Sequence, residues 1–147
     1  MKTHFEDFAI GDSGESAVAR TVSESDVYEI AGLSGSYNQL HTDAEYMKDT
    51  DYGRRLVQNT LLIVLMEGLY KRIPGWDPEV VAAYGRDGLR FINPVFIGDT
   101  LDLEMEVVEK EPKEAGGVVT FEQRLYNQDD ELVAVGEYLL LLASRES

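Results

Sequence analysis

The sequence contains no cysteine. Disulfides, thiolate metal cages and thiol nucleophiles are therefore excluded, and redox chemistry gives no clue to compartment. Histidine is nearly as scarce, with only His4 and His41. A metal centre would have to lean on carboxylates, and no close-spaced His/Asp/Glu pattern suggests one. Long apolar runs are missing too: no stretch reaches the roughly 20 consecutive apolar residues of a membrane helix. Met1-Lys2-Thr3-His4-Phe5-Glu6 lacks the charged-then-apolar layout of a signal peptide, so the expectation is a cytoplasmic protein without a membrane span. Positive charge is the last shortage. Thirteen basic residues face 28 acidic ones, a net charge of −15, which repels phosphate backbones and argues against a nucleic-acid partner. Such an acidic protein, with only five lysines, also suits high salt, where screening over a few ångströms suppresses self-repulsion.

What remains is the material of one ordinary domain. At 147 residues and 44% hydrophobic composition, the chain is large enough for a single core, and residues 1–147 are taken as one domain. A first strand is expected around residues 15–21. Ser23-Glu24-Ser25-Asp26 then reads as a helix cap with acids in the first turn, followed by Val27, Ile30 and Ala31 at helical spacing. Gly32 and Gly35 end that helix and open the segment Ser34-Gly35-Ser36-Tyr37-Asn38-Gln39-Leu40-His41. Thr42-Asp43-Ala44-Glu45 can cap a short helix to about Lys48. From about residue 56 to 73 a longer helix is apolar nearly all round, as for a helix wrapped by protein, until Pro74 and Gly75 stop it.

Four extended segments follow, at about residues 80–90, 100–109, 118–126 and 132–142. Leu101, Leu103, Met105 and Val107 alternate with Asp102, Glu104 and Glu106, the period of a half-buried strand. Gly116-Gly117 and Asn127-Gln128-Asp129-Asp130 sit where antiparallel reversals belong. A buried helix with several antiparallel strands describes an α+β domain, one sheet wrapped around one long central helix. Such a sheet has edges to cover, and pairing two copies edge to edge hides them, so a homodimer is expected.

The segment Ser34 to His41 resembles the loop Ser-Gly-Asp-x-Asn-Pro-x-His of the MaoC-like and R-specific enoyl-CoA hydratases, and Thr42-Asp43-Ala44-Glu45-Tyr46 continues the likeness. Residues Phe91-Ile92-Asn93-Pro94-Val95-Phe96-Ile97-Gly98-Asp99-Thr100-Leu101 are similar to the family's Pro-Val-x-x-Gly-Asp-Thr-Leu stretch. The resemblance implies the hot-dog fold and a dimer. It also implies a dehydratase or hydratase (lyase) acting in fatty acid metabolism, which reversibly adds water to a trans-2-enoyl thioester. Coenzyme A would be part of the acyl-CoA substrate, and no other cofactor would be needed.

Such a reaction needs an activated water, a proton for the alpha carbon, and stabilisation of an enolate-like oxygen. By the resemblance His41 is the principal acid/base, with Asn38 and Ser36 beside it as positioning groups. Ser36 stands where the family has aspartate. Its hydroxyl can hold a water but cannot accept the water's proton near neutral pH. The oxyanion donors would be backbone amides at the start of the long helix, at Gln58, Asn59 and Thr60, where family members commonly carry His-Gly. Arg54 and Arg55 are candidates for the phosphates of coenzyme A, as are Arg86 and Arg90.

Two alternatives stay open. Hot-dog thioesterases carry a helix carboxylate about nine residues after a His, Asn or Gln, and Gln58 to Glu67 has that spacing, so Glu67 could act on a thioester carbonyl. Equally, Glu67 could sit on the helix's solvent edge beside Gly68. The missing aspartate also fits a non-catalytic acyl-CoA-binding homologue.

Overall fold

The computed structural model describes residues 1–146. After a 3-10 turn at Phe5–Asp7, the chain runs through β1 (Ser13–Glu15), β2 (Arg20–Thr21), α1 (Glu24–Ser34), α2 (Gln39–Thr42), α3 (Ala44–Lys48) and α4 (Asn59–Tyr70). It finishes with β3 (Val80–Phe91), β4 (Thr100–Pro112), β5 (Gly117–Tyr126) and β6 (Leu132–Leu142). The strands form one antiparallel sheet in the order β1-β4-β5-β6-β3, with β2 also paired to β4. Its concave face wraps α4, the arrangement expected from periodicity.

The expected alternation holds. Leu101, Leu103, Met105 and Val107 are fully buried on the inner face of β4, and β5 and β6 add Phe121, Leu125, Leu140 and Leu142. From α4 come Leu61, Leu62, Leu65, Met66, Leu69 and Tyr70. Phe8 and Trp76 close one end of the core: Phe8 meets Phe121 edge-on at 5.4 Å, and Trp76 lies 5.8 Å from the same ring.

Three elements differ from the sequence reading. The single early strand is two short ones, because the chain leaves β4 after Ser16, whose hydroxyl accepts from the Leu103 amide, and turns so that the Ala17 amide reaches the Arg72 carbonyl. The long helix is shorter at both ends. Leu56 and Val57 are extended instead, since their amides donate to the carbonyls of Leu40 and Val95, tertiary partners that no local pattern contains. Val64, on the outer face of α4, is 47% exposed, so the helix is wrapped on one side only. The segment before Lys48 is two helical turns. Asn38 caps the first through Oδ1 to the Leu40 amide, and Asp43, rather than Thr42, caps the second through Oδ1 to the Tyr46 amide.

The outer sheet face carries the acid excess. Glu106, Glu122, Glu137 and Asp87 stand opposite one another across β4, β5, β6 and β3, an arrangement that like charges destabilise. Arg124 offsets part of this by pairing with Glu104, Glu106 and Glu122. Nearby, the Glu15 carboxyl is held above its ordinary value, first by a hydrogen bond shared with Asp102 and then by the charges of Asp102 and Glu104. Screening should therefore stabilise the fold. The melting temperature is expected to climb as NaCl is raised from about 0.1 to 3 M, and Arg124→Met to melt lower with a steeper salt dependence. A flat salt response would remove the high-salt reading.

Candidate functional site

A cavity of about 560 Å³ opens between the α1–α2 segment, the start of α4 and the connection from β3 to β4. Each wall has a local cause. Ser34 ends α1 and Gly35 follows in the left-handed region at φ 80°, so the chain reverses sharply there. The Ser34 hydroxyl donates to the Ile30 carbonyl and accepts from the Ser36 amide, which places Ser36 on the cavity wall. Among the described residues the Ser36 hydroxyl has no protein partner, and it makes no hydrogen bond to His41.

His41 comes from α2. The Nδ1–H of its ring donates to the Leu56 carbonyl oxygen at 2.8 Å. A carbonyl only accepts, so the proton lies on Nδ1, and in the neutral imidazole Nε2 keeps its lone pair. That is the form of imidazole able to take a proton. Asn38 does not line the cavity. Instead it holds α2 together: its side chain caps the turn, and its carbonyl accepts from the His41 amide and the Thr42 hydroxyl. Its contribution is to aim His41.

The opposite wall is the start of α4. Gln58 is its N-cap residue but makes no side-chain cap. The first amides of the helix are therefore free of a side-chain cap where Gln58 and the exposed Asn59 and Thr60 line the cavity, a place suited to negative charge. The Gln58 side chain points elsewhere. Its Nε2 donates to the Val27 carbonyl at 2.9 Å, and its Oε1 is sealed from solvent with no partner. Gln58 thus ties α4 to α1 and offers no polar side-chain atom to a ligand. The third wall, residues Phe91 to Val95, and Tyr52 beside it went unnamed as site residues in the sequence reading. The one available signal was the family-like stretch around Asn93-Pro94.

The arginines divide. Arg55 is committed to Glu24 at 3.0 Å, and that hydrogen bond is the main cause holding its guanidinium above its ordinary value. Arg54 lies 3.8 Å over the Phe96 ring with no carboxylate within reach among the described residues. It lines a small neighbouring hollow that shares Asn93 and Pro94 with the cavity. Arg86 and Glu67 face each other at 3.3 Å away from the cavity. The structure therefore brings together His41, Ser36, Asn59 and Thr60, and leaves Glu67, Arg55 and Arg86 outside. Asp99, buried, accepts from the Phe96 amide and the Gln128 side chain, as a turn former does.

The MaoC like domain family matches residues 7–127, and the chain belongs to it. Protein MaoC of Klebsiella aerogenes is 33% identical over 113 residues, covering 77% of this chain and 33% of that protein, so the chain spans about a third of its length. An (R)-specific enoyl-CoA hydratase of Rhodospirillum rubrum is 34% identical over 111 residues, covering 75% of this chain and 73% of that enzyme. Among solved structures, a monoamine oxidase regulatory protein from Archaeoglobus superposes with a TM-score of 0.88 at 36% identity, over 96% of this chain and 94% of the other. A Mycobacterium tuberculosis protein with a double hot-dog fold superposes with a TM-score of 0.85 over 98% of this chain and 45% of that one; at 22% identity it speaks to the fold alone. The α+β domain is a hot-dog fold.

Proposed function

We propose that the protein reversibly hydrates a 2-enoyl thioester, as the similar (R)-specific hydratase's name describes for its own substrate. One observation carries the reading. A histidine held with Nε2 free by the Leu56 carbonyl shares a cavity with the uncapped start of a twelve-residue helix. In the dehydration direction, Nε2 takes the proton from the alpha carbon of a 3-hydroxyacyl thioester. The electron pair moves onto the carbonyl oxygen, where the α4 amides stabilise it. As that pair returns to form the double bond, the C3–O bond breaks and His41 gives its proton to the departing hydroxide. Proton and hydroxyl leave from the same side, so one group can serve both steps. Ser36 holds the water by its hydroxyl.

The carrier is coenzyme A, with Arg54 as the phosphate-meeting group, and the site needs no other cofactor. The working unit is a homodimer. It forms along β3, a long edge strand that presents Val81 at 62% and Tyr84 at 56% exposure. No helix among the described residues is long and apolar enough to cross a membrane, and a cytoplasmic location fits. The thioesterase alternative loses its geometry, because Glu67 is paired with Arg86 outside the cavity and the Gln58 amide is spent on Val27. The non-catalytic binder keeps one observation in its favour: no carboxylate stands at Ser36.

Following crotonyl-CoA for loss of conjugation while free thiol is measured in parallel separates these readings. Loss of conjugation without thiol is expected. Thiol release would instead indicate hydrolysis, and binding with neither signal would leave a binding protein.

A further inference from the structure

Three segments are tied together around His41, and hydrogen bonds join every pair of them. Between α2 and the chain leading into α4, the Leu56 amide donates to the Leu40 carbonyl at 2.8 Å, and the Leu56 carbonyl accepts from His41 Nδ1 at 2.8 Å. Between that chain and α1, Arg55 Nη1 donates to Glu24 Oε1 at 3.0 Å and Gln58 Nε2 donates to the Val27 carbonyl at 2.9 Å. The triangle closes between α1 and α2, where the Tyr28 hydroxyl donates to the Thr42 carbonyl at 3.1 Å. Glu24, Val27 and Tyr28 stand at i, i+3 and i+4, so one face of α1 serves both of its partners.

The α1–α2 side rests on that single hydrogen bond among the described residues, and α2 needs support from outside. Its four residues make one turn, too short to hold its shape unaided in water, and the carbonyls at its end have no partner inside the helix. The Leu40 carbonyl is taken by Leu56 and the Thr42 carbonyl by Tyr28. The Tyr28 oxygen also stands beside Arg55. That guanidinium is held above its ordinary value first by its hydrogen bond to Glu24, and the Tyr28 oxygen adds to the effect. One hydroxyl therefore reaches both the residue after His41 and the residue before Leu56.

We propose that Tyr28, with Arg55, is a positioning residue for His41: it locks α2 against the chain at Leu56, so that the Leu56 carbonyl holds Nδ1–H and Nε2 is left for the substrate. The proposal rests on the hydratase reading above and adds to it the device that sets the histidine's working form. Which ring nitrogen carries the proton depends on the hydrogen bond the other one makes. If α2 drifts from Leu56, the Nε2–H form becomes populated. That form has no lone pair at Nε2 to take the alpha proton.

Nitrogen NMR of histidine-labelled protein, above the ordinary imidazole titration range, reads the tautomer directly. The chain has two histidines, so His41→Ala assigns both rings. Wild-type His41 is expected almost wholly as Nδ1–H and Tyr28→Phe as a mixture of tautomers, with kcat for crotonyl-CoA about tenfold lower and KM within about twofold. Arg55→Met should act in the same direction, and the double variant should lose less than the product of the two single losses, because both break one brace. A cooperatively melting Tyr28→Phe protein with the wild-type tautomer and kcat would overturn the proposal. So would a wild-type His41 found mainly as Nε2–H, whether or not the variant folds. A tautomer shift in Tyr28→Phe beside a wild-type protein that hydrates nothing would leave the brace standing and bring down the hydratase reading instead.

Discussion

Replacing His41 with alanine is expected to lower kcat/KM for hydration of crotonyl-CoA by about 10²–10⁴-fold, the usual contribution of a positioned acid/base. The stability cost should be small, about 1 kcal/mol, because the ring makes one hydrogen bond to a backbone carbonyl, that of Leu56. That contrast makes the result diagnostic: activity falls by orders of magnitude while the melting temperature barely moves. His41→Gln should do no better than alanine, since an amide can satisfy the Leu56 carbonyl but cannot shuttle a proton. Steady-state kinetics beside thermal melts would settle it. A His41→Ala protein that retains most of its activity would remove the histidine from the chemistry.

Ser36→Asp is expected to raise kcat by about 10²-fold or more, as a second proton-transfer group would. Ser36 lines the cavity with a hydroxyl that has no protein partner among the described residues, so a carboxylate there disturbs no existing hydrogen bond. It would take the proton of the water while His41 serves the alpha carbon, dividing between two groups what one now does alone. The measurement is kcat for crotonyl-CoA in the single variant and in Ser36→Asp/His41→Ala. If the gain comes from cooperation, the double variant loses it. An unchanged kcat in Ser36→Asp would mean that position 36 does not reach the reacting atoms.

The same two residues show how far a sequence can be read. His41 and Ser36 were nameable because one loop resembles the family's, and its shape held because a turn built on Gly35 and capped by Asn38 uses only near neighbours. Sheet faces were legible for a similar reason. The alternation of Leu101, Leu103, Met105 and Val107 with acids follows directly from a two-residue period, and those four are buried. Where reading failed, the deciding partner lay far along the chain. Leu56 and Val57 belong to an apolar run that looks helical, yet their amides are taken by the Leu40 and Val95 carbonyls. That diversion frees the start of α4 to face the cavity and puts the Leu56 carbonyl under His41. Glu67 went astray in the same way. Its spacing from Gln58 is right for one chemistry, but Arg86 and Val27 claim the two side chains.

Local and periodic facts were thus settled by the sequence alone: an α+β domain, one helix packed with an antiparallel sheet, an acidic outer face, and a Gly-flanked loop carrying the histidine. They depend on interactions within a few residues or on repeat lengths, which the order of residues states directly. Tertiary structure decided which imidazole nitrogen is free, that Gln58 turns inward while Asn59 and Thr60 line the cavity, and that Arg86 meets Glu67. Each of those depends on a hydrogen-bond partner fifteen or more residues away, brought within about 3 Å only when the sheet closes over α4.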